Sequence, residues 1–323
     1  MNNISNSPLF FDYDRCKAYT RLHAKSFYFS SFLLPKEKRN AAYAVYAFCR
    51  YADDLVDHSK IYTSNELQNK YGELLNYLED VFAGKLKSNS LNQVLAFTDA
   101  VSRFKIPKHY FTDLIEGVMM DITKKRYATF MELDTYCYKV ASVVGLMMSE
   151  IFGYSNKAAL PYAIYLGKAM QLTNILRDVN EDFQMGRIYL PGDEMKCFEY
   201  SEEDLSRRVL DERFMSMIKF NIDRTKAFYE LASHGLPYLT NDGSRTTAIL
   251  MNKIYSGILT EIESHNYDVF SKRHYVGTLG KLRLTGSYLL SRKERKRYTH
   301  LPVLKQSERI RALALAPELN FDE

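Results

Sequence analysis

The sequence predicts an all-α chain folded as a single domain, and three observations carry that expectation. From about residue 14 onward, apolar residues recur at three- and four-residue spacing, the period of one helix face. Glycine and proline are sparse, 14 and 8 in 323 residues, and the breaks between apolar runs are turn-like rather than strand-like. No Ser/Gly/Pro-rich linker, low-complexity tract or repeated block marks a joint, so 1–323 reads as one helical unit.

Taken in order, a loose tail over about 1–13 precedes a first helix at 14–29, closed by the turn at Leu34-Pro35. The second helix spans 35–57. The same spacing places helices at 64–83, 91–104, 108–125, 130–152 and 157–183. Later helices are expected near 201–233, 245–263 and 276–291, with loops at 186–191 and 234–237 and an irregular tail over about 300–323.

Hydrophobic residues at 46% and charged residues at 26% fit a globular protein with a sizeable core. The net charge of +5, from 44 basic and 39 acidic side chains, is too small to indicate nucleic acid as a partner. Charge is uneven locally: residues 271–297 carry nine Lys/Arg against the single acid Glu294. Such a run meets solvent by default, and an anionic lipid or a diphosphate otherwise. Cys16, Cys49, Cys137 and Cys197 lack metal-site spacing and a disulfide pattern, which suits a reducing cytoplasm. The first residues show no basic region followed by an apolar one, and no apolar stretch approaches the roughly 20 residues of a membrane span. Any membrane contact is therefore expected to be peripheral, and the basic run over 271–297 points it to the inner face for a cytoplasmic protein.

Two acidic stripes are the most informative features. Tyr46, Arg50, Asp53 and Asp57 stand at i, i+4, i+7 and i+11 and share one helix face. Asp53 and Asp57 are like charges one turn apart, an arrangement that asks for a counter-ion. Arg50 can supply it or bind an anion, so this helix alone leaves a metal site and a salt-bridged face both open. More than a hundred residues later Gln171, Asn174, Asp178 and Asp182 repeat the logic, with Arg177 beside them. Two such helices facing each other would make a cage of hard oxygen donors, suited to Mg²⁺, which takes few carboxylates and completes its shell from water and a phosphate-bearing substrate. Neutralising a diphosphate makes it a better leaving group, and its departure from an allylic carbon leaves a carbocation. A dry pocket with aromatic walls tolerates that cation, and the chain has 25 Tyr and 19 Phe. Single aromatic or methionine faces, such as Phe27, Phe29 and Phe32 or Met147 and Met148, read as ordinary core.

The two stripes, Tyr46-AFCRYADDLVD-Asp57 and Gln171-LTNILRDVNED-Asp182 continuing to Pro191, resemble those of the squalene/phytoene synthase family of head-to-head trans-isoprenyl diphosphate synthases. HAKSFYFSSFLLP from His23 to Pro35, the stretch from Gly117 to Met148, and that from Tyr255 to Arg273 extend the resemblance over nearly the whole chain, closest to the bacterial phytoene synthase pattern. The resemblance implies an isoprenoid-synthase helical bundle around a central apolar cavity. It also implies condensation of two geranylgeranyl diphosphates to phytoene through a cyclopropylcarbinyl diphosphate. Carried over by position, Asp53, Asp57, Asn174, Asp178 and Asp182 would hold Mg²⁺, with Mn²⁺ as a substitute. Ser26, Phe27, Tyr46, Arg50, Gln171, Arg177 and Tyr189 would line the substrate pocket, and Tyr136 would assist proton transfer, with the diphosphate as the other candidate base.

The sequence departs from the family at Ala24, where relatives often carry Ser, at Ser142 in place of a common glycine, and at Asn180 in place of a frequent one. An added Cβ at Ser142 would narrow the pocket or shift a kink. Arg273 and Lys272 either close over the diphosphate or form a solvated basic face, and His23 reads as a helix-end hydrogen bonder. Farnesyl diphosphate, giving squalene or dehydrosqualene, is the alternative substrate, with NADPH needed only for squalene. A catalytically silent lipid-diphosphate-binding subunit of the same fold is the non-enzyme alternative, and chain elongation is disfavoured because NILRDVNED departs from the DDxxD pattern.

Overall fold

The computed structural model describes residues 8–57, 64–85 and 94–298, with the side chains of residues 8–11, 57, 64, 94 and 297 outside that description. The helices are α1 (Pro8–His23), α2 (Lys25–Ser30), α3 (Lys36–Asp57), α4 (Ser64–Phe82), α5 (Val94–Phe104), α6 (Lys108–Thr123), α7 (Phe130–Cys137) and α8 (Val143–Phe152). They continue as α9 (Ala159–Arg177), α10 (Val179–Gln184), α11 (Gly192–Cys197), α12 (Glu202–Ser206), α13 (Glu212–Ser233), α14 (Ser244–Ser264), α15 (Thr278–Leu290) and α16 (Arg292–Arg297). Among the described residues there is no strand, only isolated bridges between Arg126 and Ile188 and between Tyr154 and Leu239. None of these helices is long and apolar enough to cross a membrane.

The all-α expectation holds, and its boundaries need correction. The first helix begins at Pro8, inside the expected tail, because proline suits a helix start and the next turn is tethered. Asp12 accepts from the Leu95 amide at 2.9 Å, and the Tyr13 hydroxyl donates to Asp99 at 2.6 Å. Expected continuous helices are broken at Ala24 and Asp178, and by a π turn at Tyr138–Ser142. The span 201–233 holds two helices. Ser201 caps α12 in a reciprocal box with Asp204, and Asp211 caps α13 through the amides of Arg213 and Phe214. Short α11 and α16 were not expected, and the loop at 234–237 runs into a 3₁₀ turn at Leu236–Tyr238. The expected helical residues 91–93 and the C-terminal tail from 300 lie outside the described residues.

The chain forms two compact units. The first comprises Met1–Thr123, Val143–Lys157 and Leu239–Ala248. Its spine is α3, whose Ala41, Ala44, Val45, Phe48, Ala52 and Leu55 are buried against neighbouring helices. Phe48 stacks on Phe97 with centroids 4.4 Å apart and meets Phe111 edge-on at 5.3 Å, a geometry worth about 1 kcal/mol per pair beyond area burial. Lys38, at the start of α3, donates to the Phe152 carbonyl at 2.5 Å and pairs with Asp242 at 2.8 Å, fixing that end of the spine. Gly243 next to it has φ +104°, and a Cβ there would lie 2.0 Å from the Leu33 carbonyl oxygen, so glycine alone fits.

The second unit comprises Lys124–Ser142, Ala158–Tyr238 and Ile249–Glu323. Helix α9 packs along α13, where Thr173 and Tyr229 share a buried hydroxyl contact of 2.8 Å. It also crosses the π turn closely enough that a Cβ on Gly167 would lie 2.5 Å from the Ser142 Cα. Ser142 is buried, and its hydroxyl donates to the Ile164 carbonyl at 2.9 Å, so this departure from the family pattern is spent on the α9 backbone. Arg224 on α13 and Glu194 on α11 form a buried ion pair at 2.5 Å. Of the cysteines, Cys16, Cys49 and Cys137 are buried and Cys197 is exposed.

Candidate active site

In the first unit, α3 is continuous through the first stripe, as the spacing required. Tyr46, Arg50 and Asp53 are half-buried on the helix, while Ala47, Phe48, Cys49 and Ala52 between them are buried. The tyrosine is joined by α2: the Phe27 ring lies 5.9 Å from that of Tyr46, and Ser26 next to it is half-exposed. Arg50, read from sequence as either neutralising part of the Asp53 and Asp57 charge or binding an anion, forms an ion pair with Asp54 at 2.6 Å. The Tyr19 hydroxyl donates to the same carboxylate. Burial, and then that hydrogen bond, push the Tyr19 phenol above its ordinary range. Sequence reading missed Tyr19 and Asp54 because their relation spans two helices. The Asp57 side chain lies outside the described residues.

In the second unit, Gln171, Asn174, Asp178 and Asp182 are half-buried, and Leu172, Thr173, Ile175, Leu176 and Val179 between them are buried. Helix α9 ends at Arg177, with Asp178 at φ −105° and ψ 16°. The backbone ladder nonetheless carries through the break: the Asp178 amide donates to Asn174 at 2.9 Å, and the Asp182 amide to Asp178 at 2.8 Å. The four side chains therefore keep their common face. Asn174 Nδ2 donates to Gln171 Oε1 at 3.4 Å, which leaves Asn174 Oδ1 as the atom a cation would take.

Asp178 is the most constrained carboxylate. Arg177 reaches it at 2.7 and 2.5 Å, and Arg273 reaches it in a second bidentate pair at 2.8 and 2.9 Å. Burial alone would raise the Asp178 pKa; the two guanidiniums outweigh it and hold the carboxyl below the usual range. Glu181, 3.3 Å from Arg273, is pushed the other way, by burial and by the neighbouring Asp178 charge against the pull of Arg273. The loop presenting Arg273 is itself fixed: Asp268 accepts from the amides of Phe270 and Ser271, both at 3.0 Å, and Asn180 donates to the Phe270 carbonyl at 3.2 Å. Asn180, given no role by sequence, thus ties α10 to the segment that carries Arg273.

Tyr136 and Tyr189 are brought together, as sequence did not foresee. Their hydroxyls are 3.3 Å apart and their rings 5.2 Å, with the Tyr127 ring 5.5 Å from one and 5.7 Å from the other. The segment 125–128 is zipped to 187–193: the Ile188 amide donates to Lys125, and the Gly192 amide to Tyr127, both at 2.9 Å. Asp182, Arg187 and Tyr189 line one small cleft with Ile175, Val179 and Leu190.

The donors of the second stripe, Asn174, Asp178 and Asp182, are hard oxygen groups of the kind Mg²⁺ takes. Their atoms are carboxylate and amide oxygens, and among the described residues no three carboxylate, imidazole or thiol side chains converge on one point. An ion here would draw the rest of its shell from water and ligand, as Mg²⁺ does with only one or two carboxylates.

The model of the squalene/phytoene synthase family matches residues 20–279. A 15-cis-phytoene synthase of Synechocystis is 40% identical over 84% of this chain and 82% of its own, and one of Synechococcus elongatus is 40% identical over 84% and 90%. Among solved structures, a dehydrosqualene synthase in complex with a ligand superposes with a TM-score of 0.79 at 32% identity, covering 87% of this chain and 98% of that one. A squalene synthase from Alicyclobacillus acidocaldarius gives a TM-score of 0.73 at 26% identity, over 82% and 99%. With both motifs on their helices and matches of this extent, the chain belongs to the squalene/phytoene synthase family.

Proposed function

We propose that this protein is a prenyltransferase that joins two geranylgeranyl diphosphates head to head into 15-cis-phytoene. The observation that carries the reading is 40% identity, over 84% of the chain, to two 15-cis-phytoene synthases. The reaction runs in two steps. The first forms the cyclopropylcarbinyl diphosphate and the second ionises and rearranges it, each releasing one diphosphate and one proton. Mg²⁺, or Mn²⁺ in its place, would be held by Asp53, Asp57, Asn174, Asp178 and Asp182 and supplies Lewis-acid neutralisation of the leaving diphosphate.

The chain's own groups do the rest. Arg177 and Arg273 both hold Asp178 through Nε and Nη2, and they are proposed to bind a diphosphate through their remaining N–H groups. Arg50, Ser26 and Gln171 are proposed to position diphosphate, and Phe27 and Tyr46 to present aromatic faces to the prenyl chain. Tyr136 and Tyr189 are proposed to act as a hydroxyl pair that holds or relays the departing proton. A phenol of ordinary pKa, about 10, is a weak acceptor, so the released diphosphate is the base of choice.

We further take the two compact units to be parts of one catalytic domain, since the chain passes repeatedly between them. The product is an insoluble hydrocarbon, which favours a cytoplasmic protein in peripheral contact with the inner membrane face. A second reading has one observation in its favour, the fit to the dehydrosqualene synthase structure. It keeps the chemistry and shortens the substrate to farnesyl diphosphate, with NADPH required only for squalene.

Purified protein incubated with Mg²⁺ and either substrate, with and without NADPH, separates the readings by mass analysis of the extracted hydrocarbon. A C40 product without NADPH upholds phytoene synthesis. A C30 product transfers the enzyme to the second reading, and a longer diphosphate overturns both.

A further inference from the structure

We propose that α15 and α16 form the face by which this protein docks on an anionic lipid surface. The inference rests on the peripheral-membrane reading and adds to it the element responsible. Helix α15 carries leucines on its solvent-facing side as well as on its packed one. Leu279, Leu282 and Leu290 are 83%, 53% and 86% exposed, and with Gly286 they fall at +3, +4 and +4 along one line of the helix. A solvent-facing helix side normally carries polar groups, and a contiguous leucine stripe there marks an interaction surface. Tyr275, just before the helix, is 72% exposed and extends the apolar strip.

These leucines are not a misjudged core, because the inner side of α15 is already satisfied. Leu284 lies 3.8 Å from the position a Cβ on Gly257 would take, on α14. Tyr288 is buried with its ring 6.0 Å from that of Tyr298, and Lys253 on α14 pairs with Glu294 at 2.8 Å. The stripe is what remains on the far side.

Charge selects the occupant. Arg283 on α15 and Arg292, Lys293, Arg295 and Lys296 on α16 are exposed, and the one acid among them, Glu294, is taken by Lys253 and Ser287. Leucines flanked by exposed basic groups match an interfacial helix, with apolar side chains among acyl chains and cations at lipid phosphates. A second copy of this chain fits poorly, since apposing two stripes would bring two basic α16 segments together.

The test uses the full-length protein with no substrate, so vesicle binding and hydrocarbon synthesis can each fail alone. Cosedimentation with phosphatidylglycerol vesicles should exceed that with phosphatidylcholine by about tenfold or more at low salt. Leu279→Ser with Leu290→Ser should lower binding about tenfold, and Arg292→Gln with Lys293→Gln should lower it and flatten its salt dependence. None of these residues has a catalytic assignment, so turnover in detergent should stay at the parental rate. The chain contains no tryptophan, so Leu290→Trp provides a sole indole whose emission should shift to the blue only when anionic vesicles are added. Equal binding to both lipids, or no loss in either double variant, overturns the proposal. So does an indole already shielded without lipid, which would mean that this chain or a second copy covers the stripe.

Discussion

Asp178 is held by two arginines and stands at the junction of α9 and α10, so a substitution there tests charge and geometry together. Asp178→Asn should keep the local volume and lower turnover by about a hundredfold or more, the scale of losing a preorganised charge contact. Single-turnover product formation at saturating Mg²⁺ checks it. The same residue should leave a signature in stability. Its pKa is lower in the folded state than in the unfolded one, so its contribution is complete above the ordinary aspartate range, about pH 4, and is lost as pH falls through the depressed folded value. The difference in urea midpoint between the parent and Asp178→Asn should therefore be present at neutral pH and shrink in acid; a pH-independent difference would refute the assignment. The sequence displayed the acid spacing and Arg177 plainly, because neighbours on one helix face follow from periodicity alone. It did not display Arg273 on Asp178, Tyr19 on Asp54 or Asn180 on Phe270, since each joins residues brought near only by tertiary folding.

Helix α9 owes its path to a missing side chain and α13 to a buried charge, and both are testable. Gly167→Ala would place a methyl against the Ser142 backbone, which has no flexible end to yield. The expected loss is about 1 to 3 kcal/mol in urea unfolding, the usual cost of overpacking. The Arg224 guanidinium is wedged 3.8 Å from the Phe130 ring centroid and 4.7 Å from that of Phe220, and its Nε and Nη1 have no hydrogen-bond partner among the described residues. Glu194 is its counter-charge: burial raises the Glu194 pKa while Arg224 pulls against it. Glu194→Met alone should cost about 3 to 5 kcal/mol by stranding a buried cation, whereas Glu194→Met with Arg224→Leu should recover most of it. Melting both variants alongside the parent decides the point. At this scale the long helices were legible and their interruptions were not. A π turn and a bend at Asp178 preserve the apolar period on either side, so the pattern reads as continuous. The split of 201–233 was written in the Ser201/Asp204 and Asp211 capping residues, a signal masked by the surrounding apolar spacing.

For the molecule as a whole, the proposed metal and the fold should be separable. The acidic groups Asp54 and Asp178 are already compensated by arginines, so chelation of divalent ions should abolish turnover and leave the helical circular dichroism unchanged. Mg²⁺ with a non-reacting prenyl diphosphate should then raise the melting temperature, by about 2.7 kcal/mol of linkage at a hundredfold excess over Kd. Loss of helicity on chelation would show the metal to be structural. The four thiols offer a separate view of the same molecule. Burial pushes the Cys16 thiol up to about 12 and raises those of Cys49 and Cys137, while Cys197 sits in the open at the end of α11. A thiol-selective reagent should therefore label the native chain once and quickly, and label the other three cysteines only as fast as the interior opens. The protein carries its own clock for unfolding, read by counting adducts against time.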